Sequence, residues 1–202
     1  MLVPLDPSSQ RDALFDAAEG DGADPHLWRY MSVGPFRDVA GFGDWLEGAA
    51  GSDDPLFLAI VDRATGGPVG MASYLRIAPD MGTIEIGNIW FGGSLQRSRG
   101  ATEAIYLLAR HAFDDLRYRR LEWKCDALNA RSRRAAERFG FVFEGVFRRH
   151  MVIKGRNRDT AWYAIVDEDW PAVRGAFERW LDAANFDADG RQRRTLAELR
   201  SA

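Results

Sequence analysis

The run Gly92-Gly93-Ser94-Leu95-Gln96-Arg97-Ser98-Arg99-Gly100-Ala101-Thr102 joins small residues, hydroxyls and two arginines between an apolar strand pattern and a strong helical one. A chain that enters a helix this way leaves several backbone N–H groups unpaired at the helix start. Those donors and the positive end of the helix dipole make an anion site suited to phosphate, unless the run is an ordinary strand-to-helix loop. Gly100 and Ala101 let a pyrophosphate approach the backbone, while Arg97 and Arg99 add positive charge. The spacing is neither that of a Walker loop nor that of a dinucleotide fingerprint. Near this run in sequence stand three carboxylates on strand-like stretches, Glu85, Glu122 and Asp126. His150 lies in a later strand, where a titrating imidazole could serve catalysis, although a lone histidine there is more often structural.

The elements that must hold these groups can be read from periodicity. Asp38 to Ala50 reads as a helix with Phe42, Trp45 and Leu46 on one side. Leu56 to Val61 is a short apolar run, and Val69 to Ile77 returns after the turn Thr65-Gly66-Gly67-Pro68, so the two form a hairpin. Thr83 to Phe91 is a third strand. From Ala101 to Leu116, apolar residues recur at helical spacing through Ile105, Leu108, Ala112 and Phe113. Arg120 to Asp126 alternates, with Leu121, Trp123 and Cys125 on one face. A short helix from Ala130 to Phe139 stops at Gly140. Phe141 to Phe143, Val146 to Ile153 and Thr160 to Val166 read as strands, the last two joined by a turn at Lys154-Gly155-Arg156-Asn157. Asp169 opens a final helix buried through Trp170, Val173, Phe177 and Trp180. The residues before Pro55 are rich in Gly, Asp and Pro with aromatic anchors, and Asp187 to Ala202 reads as a polar tail prone to fray. The order predicts a mixed α/β domain with helices on both faces of one sheet.

Composition narrows the function classes. With 202 residues, 46% of them hydrophobic and 28% charged, one compact domain spanning 1–202 with an ample core is expected. No apolar run is long enough to span a bilayer, and the first residues lack a basic region followed by an apolar stretch, so neither a membrane nor a secretory role is expected. A net charge of −3 argues against a nucleic-acid partner. The single cysteine, Cys125, fits a reducing, cytoplasmic setting, and with only three histidines no metal site is expected.

The stretch from Gly82 to Trp170 resembles the Gcn5-related N-acetyltransferase (GNAT) superfamily, most closely the branch of RimJ/RimL-type ribosomal-protein N-acetyltransferases. Gln96-Arg97-Ser98-Arg99-Gly100-Ala101 sits where that family carries its pyrophosphate loop, and Thr102-Glu103-Ala104 continues it. Asn129-Ala130-Arg131-Ser132, followed by Ala135 to Phe141, is similar to the family's Asn-x-x-Ser…Gly-Phe segment. Arg148, Lys154 to Asp159, Trp162-Tyr163 and Asp169-Trp170 resemble the branch's closing hairpin and last strand. Two positions depart from the pattern: Arg99 stands where the loop's first glycine is usual, and Ala136 stands where many relatives have a tyrosine general acid.

The resemblance implies a GNAT-like fold, a curved and mostly antiparallel sheet splayed at the cofactor site. It also implies direct attack of an amine on the acetyl-CoA thioester in a ternary complex. Trp90, Phe91, Leu95, Gln96, Arg97, Ser98, Arg99, Gly100, Ala101, Thr102, Asn129 and Ser132 are then the candidate acetyl-CoA contacts. The backbone around Trp90 and Phe91 would supply an oxyanion donor, and Asn129 would hold the pantetheine arm unless it is only a helix cap. Glu85 is the first candidate for the base or ammonium ligand, with Glu122 and Asp126 as rivals, and Ser132 would either donate to the leaving sulfur or bond the cofactor. Trp28, Tyr30 and Trp90 are candidates to line an acceptor pocket. The acceptor would be a protein N-terminus or a small amine, and the enzyme a monomer or homodimer. The alternative is a catalytically silent acyl-CoA sensor on the same fold.

Overall fold

The computed structural model describes residues 1–201. Seven strands form a single sheet: β1 (Leu2–Pro4), β2 (Leu56–Val61), β3 (Pro68–Ala78), β4 (Thr83–Phe91), β5 (Arg120–Asp126), β6 (Val142–Ile153) and β7 (Arg156–Val166). Their order is β1-β2-β3-β4-β5-β7-β6. Every neighbouring pair is antiparallel except β4 and β5, which run parallel. Six α-helices accompany them: α1 (Pro7–Glu19), α2 (Val39–Ala50), α3 (Arg99–Arg110), α4 (Ala130–Phe139), α5 (Trp170–Leu181) and α6 (Leu196–Arg200).

Strand alternation sends apolar side chains to both faces of the sheet, and each face receives its own helices. On one face Ala59, Met71 and Trp90 pack with Leu14 of α1, Phe42 and Leu46 of α2 and Trp28 of the intervening loop. On the other, Ile60, Ala72, Tyr74, Ile84, Ile86, Leu121 and Trp123 pack with Ile105 and Leu108 of α3, Phe139 of α4 and Phe177 and Trp180 of α5.

The parallel pair is the feature that builds the site. Register runs Thr83↔Arg120, Ile84↔Leu121 and Glu85↔Glu122, and pairing stops there. Beyond Glu85, β4 keeps only β3 as a strand neighbour, while β5 pairs with β7 along its whole length. The two strands thus part like a fork. Asn88 takes a left-handed φ of 49° in the opened stretch, where the β3–β4 register also shifts. Ligands of sheets with parallel strands bind outside the carboxyl ends of those strands. Here both of these ends lead into helices, β4 into α3 and β5 into α4.

Several elements differ from the sequence expectation. The Gly-, Asp- and Pro-rich start contains a strand and a full helix, α1, which Asp6 caps by accepting from Ser8 N while Pro7 occupies the first turn. The long helix begins at Arg99 and ends in a π-helical turn, His111–Asp115. The two strands expected around Gly145 are one, β6, with register irregularities at Phe143/Gly145 and Phe147/Met151. The polar tail packs back against the helices in the structure. Leu196 and Leu199 of α6 are buried, Trp180 Nε1 donates to Gln192 Oε1, and Arg200 bonds the carbonyls of Glu137 and Arg138; Ala202 lies outside the described residues. Among the described residues, no helix is long and apolar enough to cross a membrane.

Candidate active site

The loop after β4 folds around its own carbonyls. Leu95 N and Gln96 N both donate to Gly92 O, and Gln96 Nε2 donates to Phe91 O at 3.0 Å. Ser98 is the N-cap of α3: its Oγ accepts from Ala101 N at 3.1 Å and donates to Leu95 O at 2.7 Å. That hydroxyl is committed to the protein. The N–H groups of Arg97, Arg99 and Gly100 find no protein acceptor among the described residues, and they lie at the positive end of the α3 dipole. Leu95 and Ala101 are buried beneath this turn, and a Cβ added at Gly100 would stand 3.2 Å from Leu95 Cδ1. Thr102 is buried and accepts from Arg138 Nη1 at 3.0 Å, so it ties α3 to α4 instead of facing outward.

Arg99, where glycine is usual, creates no conflict. The residue is helical, and the left-handed conformation falls on Arg97, at φ 59°. The Arg99 side chain turns away from the loop: Nη2 donates to Leu181 O, and the guanidinium lies 5.0 Å from the Phe186 ring centroid. Both arginines are exposed, but only Arg97 has no side-chain partner among the described residues.

On the β5 side, Asn129 caps α4 by accepting from Ser132 N at 3.1 Å, which leaves its side-chain NH2 uncommitted among the described residues. Ser132 Oγ accepts from Trp123 Nε1 at 2.9 Å, so its own proton remains available to a further acceptor. Ala136, at the position of the absent tyrosine, is fully buried. Trp90 is buried against Trp28, with ring centroids 6.0 Å apart, and Phe91 is half-buried. Tyr30 OH donates to Leu128 O at 3.2 Å and Arg131 pairs with Asp24, so the loop after α1 reaches across the open end of the fork to the start of α4.

At the base of the fork lies a chain of charges that sequence reading left as separate residues. Glu85 is 3% exposed, and its Oε2 meets Arg76 Nη1 at 2.6 Å and Lys124 Nζ at 2.9 Å. Lys124 also meets Glu122 and lies 3.9 Å from the Trp162 ring centroid. Glu122 continues to Arg120, and Arg120 to Glu144 on β6. Burial would raise the Glu122 pKa, but hydrogen bonds from Lys124 and Arg120 outweigh it and hold the group below the ordinary carboxylate range. The Lys124 side chain is 2% exposed, and an ammonium so deep is tolerated only because it is paired on two sides. Its alternating position on β5 was readable, but the partnership with Glu85 needed the parallel register.

The remaining candidates have local roles. Asp126 Oδ1 accepts from Leu128 N in a turn. His150 Nδ1 bonds Thr160 Oγ1 at 3.0 Å, and its ring lies 6.0 Å from that of Trp162, which Lys124 faces from the fork. Cys125 is buried, which pushes its thiol pKa up and makes it a poor nucleophile.

The profile of the acetyltransferase (GNAT) domain matches residues 1–142. The chain belongs to the GNAT acetyltransferase family. A solved GCN5-related N-acetyltransferase from Brucella melitensis is 47% identical and superposes with a TM-score of 0.97, covering 100% of this chain and 90% of that one. A GNAT-family structure from Chromobacterium violaceum is 40% identical with a TM-score of 0.78, covering 84% of each chain. Among curated proteins, the N-acetyltransferase p20 of Bacillus licheniformis is 27% identical over 161 residues, which is 73% of this chain and 84% of p20. The GNAT membership makes this chain an acetyl-CoA-dependent acyltransferase.

Proposed function

We propose that the chain moves an acetyl group from acetyl-CoA to a primary amine, on a protein N-terminus or a small molecule, by direct attack in a ternary complex. The observation that carries this reading is the end of β4–β5 pairing at Glu85↔Glu122, which frees one side of β4 from Ile86 to Phe91 beside the open start of α3. The N–H groups of Arg97, Arg99 and Gly100 and the exposed Arg97 side chain hold the pyrophosphate. The Asn129 carboxamide, with its oxygen spent on the cap, offers its NH2 to the pantetheine arm. The freed β4 backbone around Trp90 and Phe91 faces the thioester carbonyl and stabilises the charge that develops there.

Glu85 accepts the ammonium proton, directly or through water. Its Oε2 is held by Arg76 and Lys124, while Oε1 has no side-chain partner among the described residues and lies 3.6 Å from where a Cβ on Gly87 would stand, a space bordered by Leu75. With no tyrosine at Ala136, the free proton of the Ser132 hydroxyl is the donor to the leaving sulfur. The closing hairpin's likeness to the RimJ/RimL branch supports an N-terminal α-amine among the acceptors.

The test is acetyl transfer to a panel of amines by wild type and Glu85→Gln, with acetyl-CoA binding followed by thermal stabilisation. Loss of general-base assistance lowers turnover about 10²- to 10⁴-fold, and binding should persist in the variant. A wild type that binds acetyl-CoA but acetylates no amine would instead establish the sensor reading.

A further inference from the structure

We infer that the cavity between α2 and the opened part of β4 is the acceptor pocket, and that it selects an amine on a short apolar body with no carboxylate beside it. This rests on the acetyltransferase reading above. The cavity holds about 390 Å³ and is walled by Met31, Val33, Trp45, Gly48, Phe57 and Asn88. Asn88 places it at the fork. That residue lies three positions beyond the last β4–β5 pair, and its Nδ2 donates to Ser73 Oγ at 2.9 Å, on the α2 face of the sheet. The cavity therefore meets β4 at Asn88, within the stretch left unpaired by β5, from the face opposite α3.

Gly48 leaves the mouth of the cavity open. It lies inside α2, its φ is not left-handed, and a Cβ added there meets nothing within 4 Å. Glycine within a helix weakens it relative to alanine. Gly43 in the same helix has a packing reason, since its Cβ would come within 2.8 Å of Arg11 Cδ. Gly48 is exposed and lines the cavity, so a side chain there would project at its mouth.

The walls define the ligand class. Asp44, one turn before Gly48, is the only charged residue lining the cavity. A carboxylate or phosphate on the acceptor would meet no cation there, whereas an ammonium is drawn in by Asp44 and its apolar body by Met31, Val33, Trp45 and Phe57. The wall formed by the loop before α2 is fixed from across the molecule: Lys154 Nζ, at the β6–β7 turn, donates to Trp28 O at 2.9 Å and Val33 O at 2.8 Å. Free arylalkylamines and peptide N-termini beginning with an apolar residue share the required chemistry.

The experiment measures acetyl transfer to phenethylamine, a Phe-initiated peptide amide, free phenylalanine and spermidine. It also measures equilibrium binding of phenethylamine to the CoA-loaded protein. Wild type and the variants Gly48→Ala, Gly48→Leu and Asp44→Asn are compared. Phenethylamine or the peptide should be used at least tenfold more efficiently than phenylalanine or spermidine, and their ratio tells a small-molecule source from a protein one. Gly48→Leu should retain acetyl-CoA stabilisation while raising the acceptor KM and weakening phenethylamine binding at least tenfold. Gly48→Ala, with a melting temperature at or above wild type, should do the same more mildly, and Asp44→Asn should raise the KM severalfold. Turnover whose acceptor KM is unmoved by Gly48→Leu, or a preference for spermidine or phenylalanine, overturns the pocket and leaves the acetyltransferase reading standing. Failure of every amine to be acetylated or bound brings down both.

Discussion

Two helices start at the same end of the sheet, and they treat their first turns differently. At α3, Ser98 spends its hydroxyl on Ala101 N and Leu95 O, while three neighbouring N–H groups and the Arg97 guanidinium stay free. At α4, Asn129 caps Ser132, Arg131 is paired with Asp24, and Arg133 is bonded to Tyr163 OH and Ala127 O. Both have the dipole of a helix N-terminus, but the first leaves three backbone N–H groups and a cation unclaimed, whereas the second leaves one backbone N–H, that of Arg131, beside the Asn129 NH2. A helix start becomes an anion site through what the surrounding chain leaves unbonded, not through the dipole alone.

The comparison depends on the fork that sets the two starts apart, so the largest effect comes from breaking the fork. Lys124→Met leaves Glu85 and Glu122, which share a register position, without the ammonium between them. Removing one partner of a buried ion pair costs roughly 3–5 kcal/mol, and chemical denaturation should show a loss of that size. The same network gives an acid limb. The pKa of Glu122 is below its unfolded value, so its contribution is complete above the ordinary carboxylate pKa of about 4.3 and is lost as pH falls through the folded value. Wild type should lose stability in that range, and Lys124→Met should show a shallower acid limb. An unchanged denaturation midpoint in Lys124→Met would mean that the strand backbones hold the fork without the charges.

The next effect separates the two helix starts directly. Gly100→Phe places a ring beside the free N–H groups of α3, against Leu95. Acetyl-CoA at a hundredfold excess over Kd stabilises wild type by about 2.7 kcal/mol, and this stabilisation should vanish in the variant. Asn129→Ala acts on the other start and should cost about 1 kcal/mol through the lost cap. Asn129→Ser restores a capping oxygen but not the carboxamide NH2. It should recover the stability while still raising the acetyl-CoA KM severalfold. Full recovery of both would reduce Asn129 to a cap.

Much of this contrast was legible in the sequence, and its failures have physical reasons. The strand-to-helix loop could be placed because small residues precede strong helical periodicity, its reading as a phosphate loop rested on the family resemblance, and Glu85 could be placed on a polar strand face by alternation. What pairs with Glu85 was hidden: Lys124 lies 39 positions away and meets it only through the parallel register. The Asp6-Pro7 start of α1 carries the composition of a capped helix, yet with only Leu14 and Ala18 fully buried its periodicity was too thin to register. The tail read as polar because Leu196 and Leu199 are isolated among arginines, although two buried leucines and the Gln192 and Arg200 bonds suffice to dock it. Ser98 and Thr102 fit a phosphate loop by type, but their hydroxyls serve the helix cap and the link to Arg138.

The smallest effect decides between two arginines that the sequence treated alike. Arg97 is exposed beside the free N–H groups, so an exposed pairing of up to about 1 kcal/mol with a phosphate is expected. Arg97→Ala should weaken acetyl-CoA binding roughly two- to fivefold, and the deficit should shrink as salt is raised from 0.01 to 0.5 M, since screening removes what the charge supplied. Arg99 instead bonds Leu181 O and lies against Phe186. Arg99→Ala should therefore lower the melting temperature by loosening the segment after α5 and leave the acetyl-CoA Kd within twofold of wild type. Titrations of the two variants at two ionic strengths separate the roles. A larger, salt-sensitive loss of affinity in Arg99→Ala than in Arg97→Ala would mean that the Arg99 side chain leaves Leu181 and swings to the pyrophosphate when acetyl-CoA arrives, and the start of α3 would then be completed by its ligand instead of standing open beforehand.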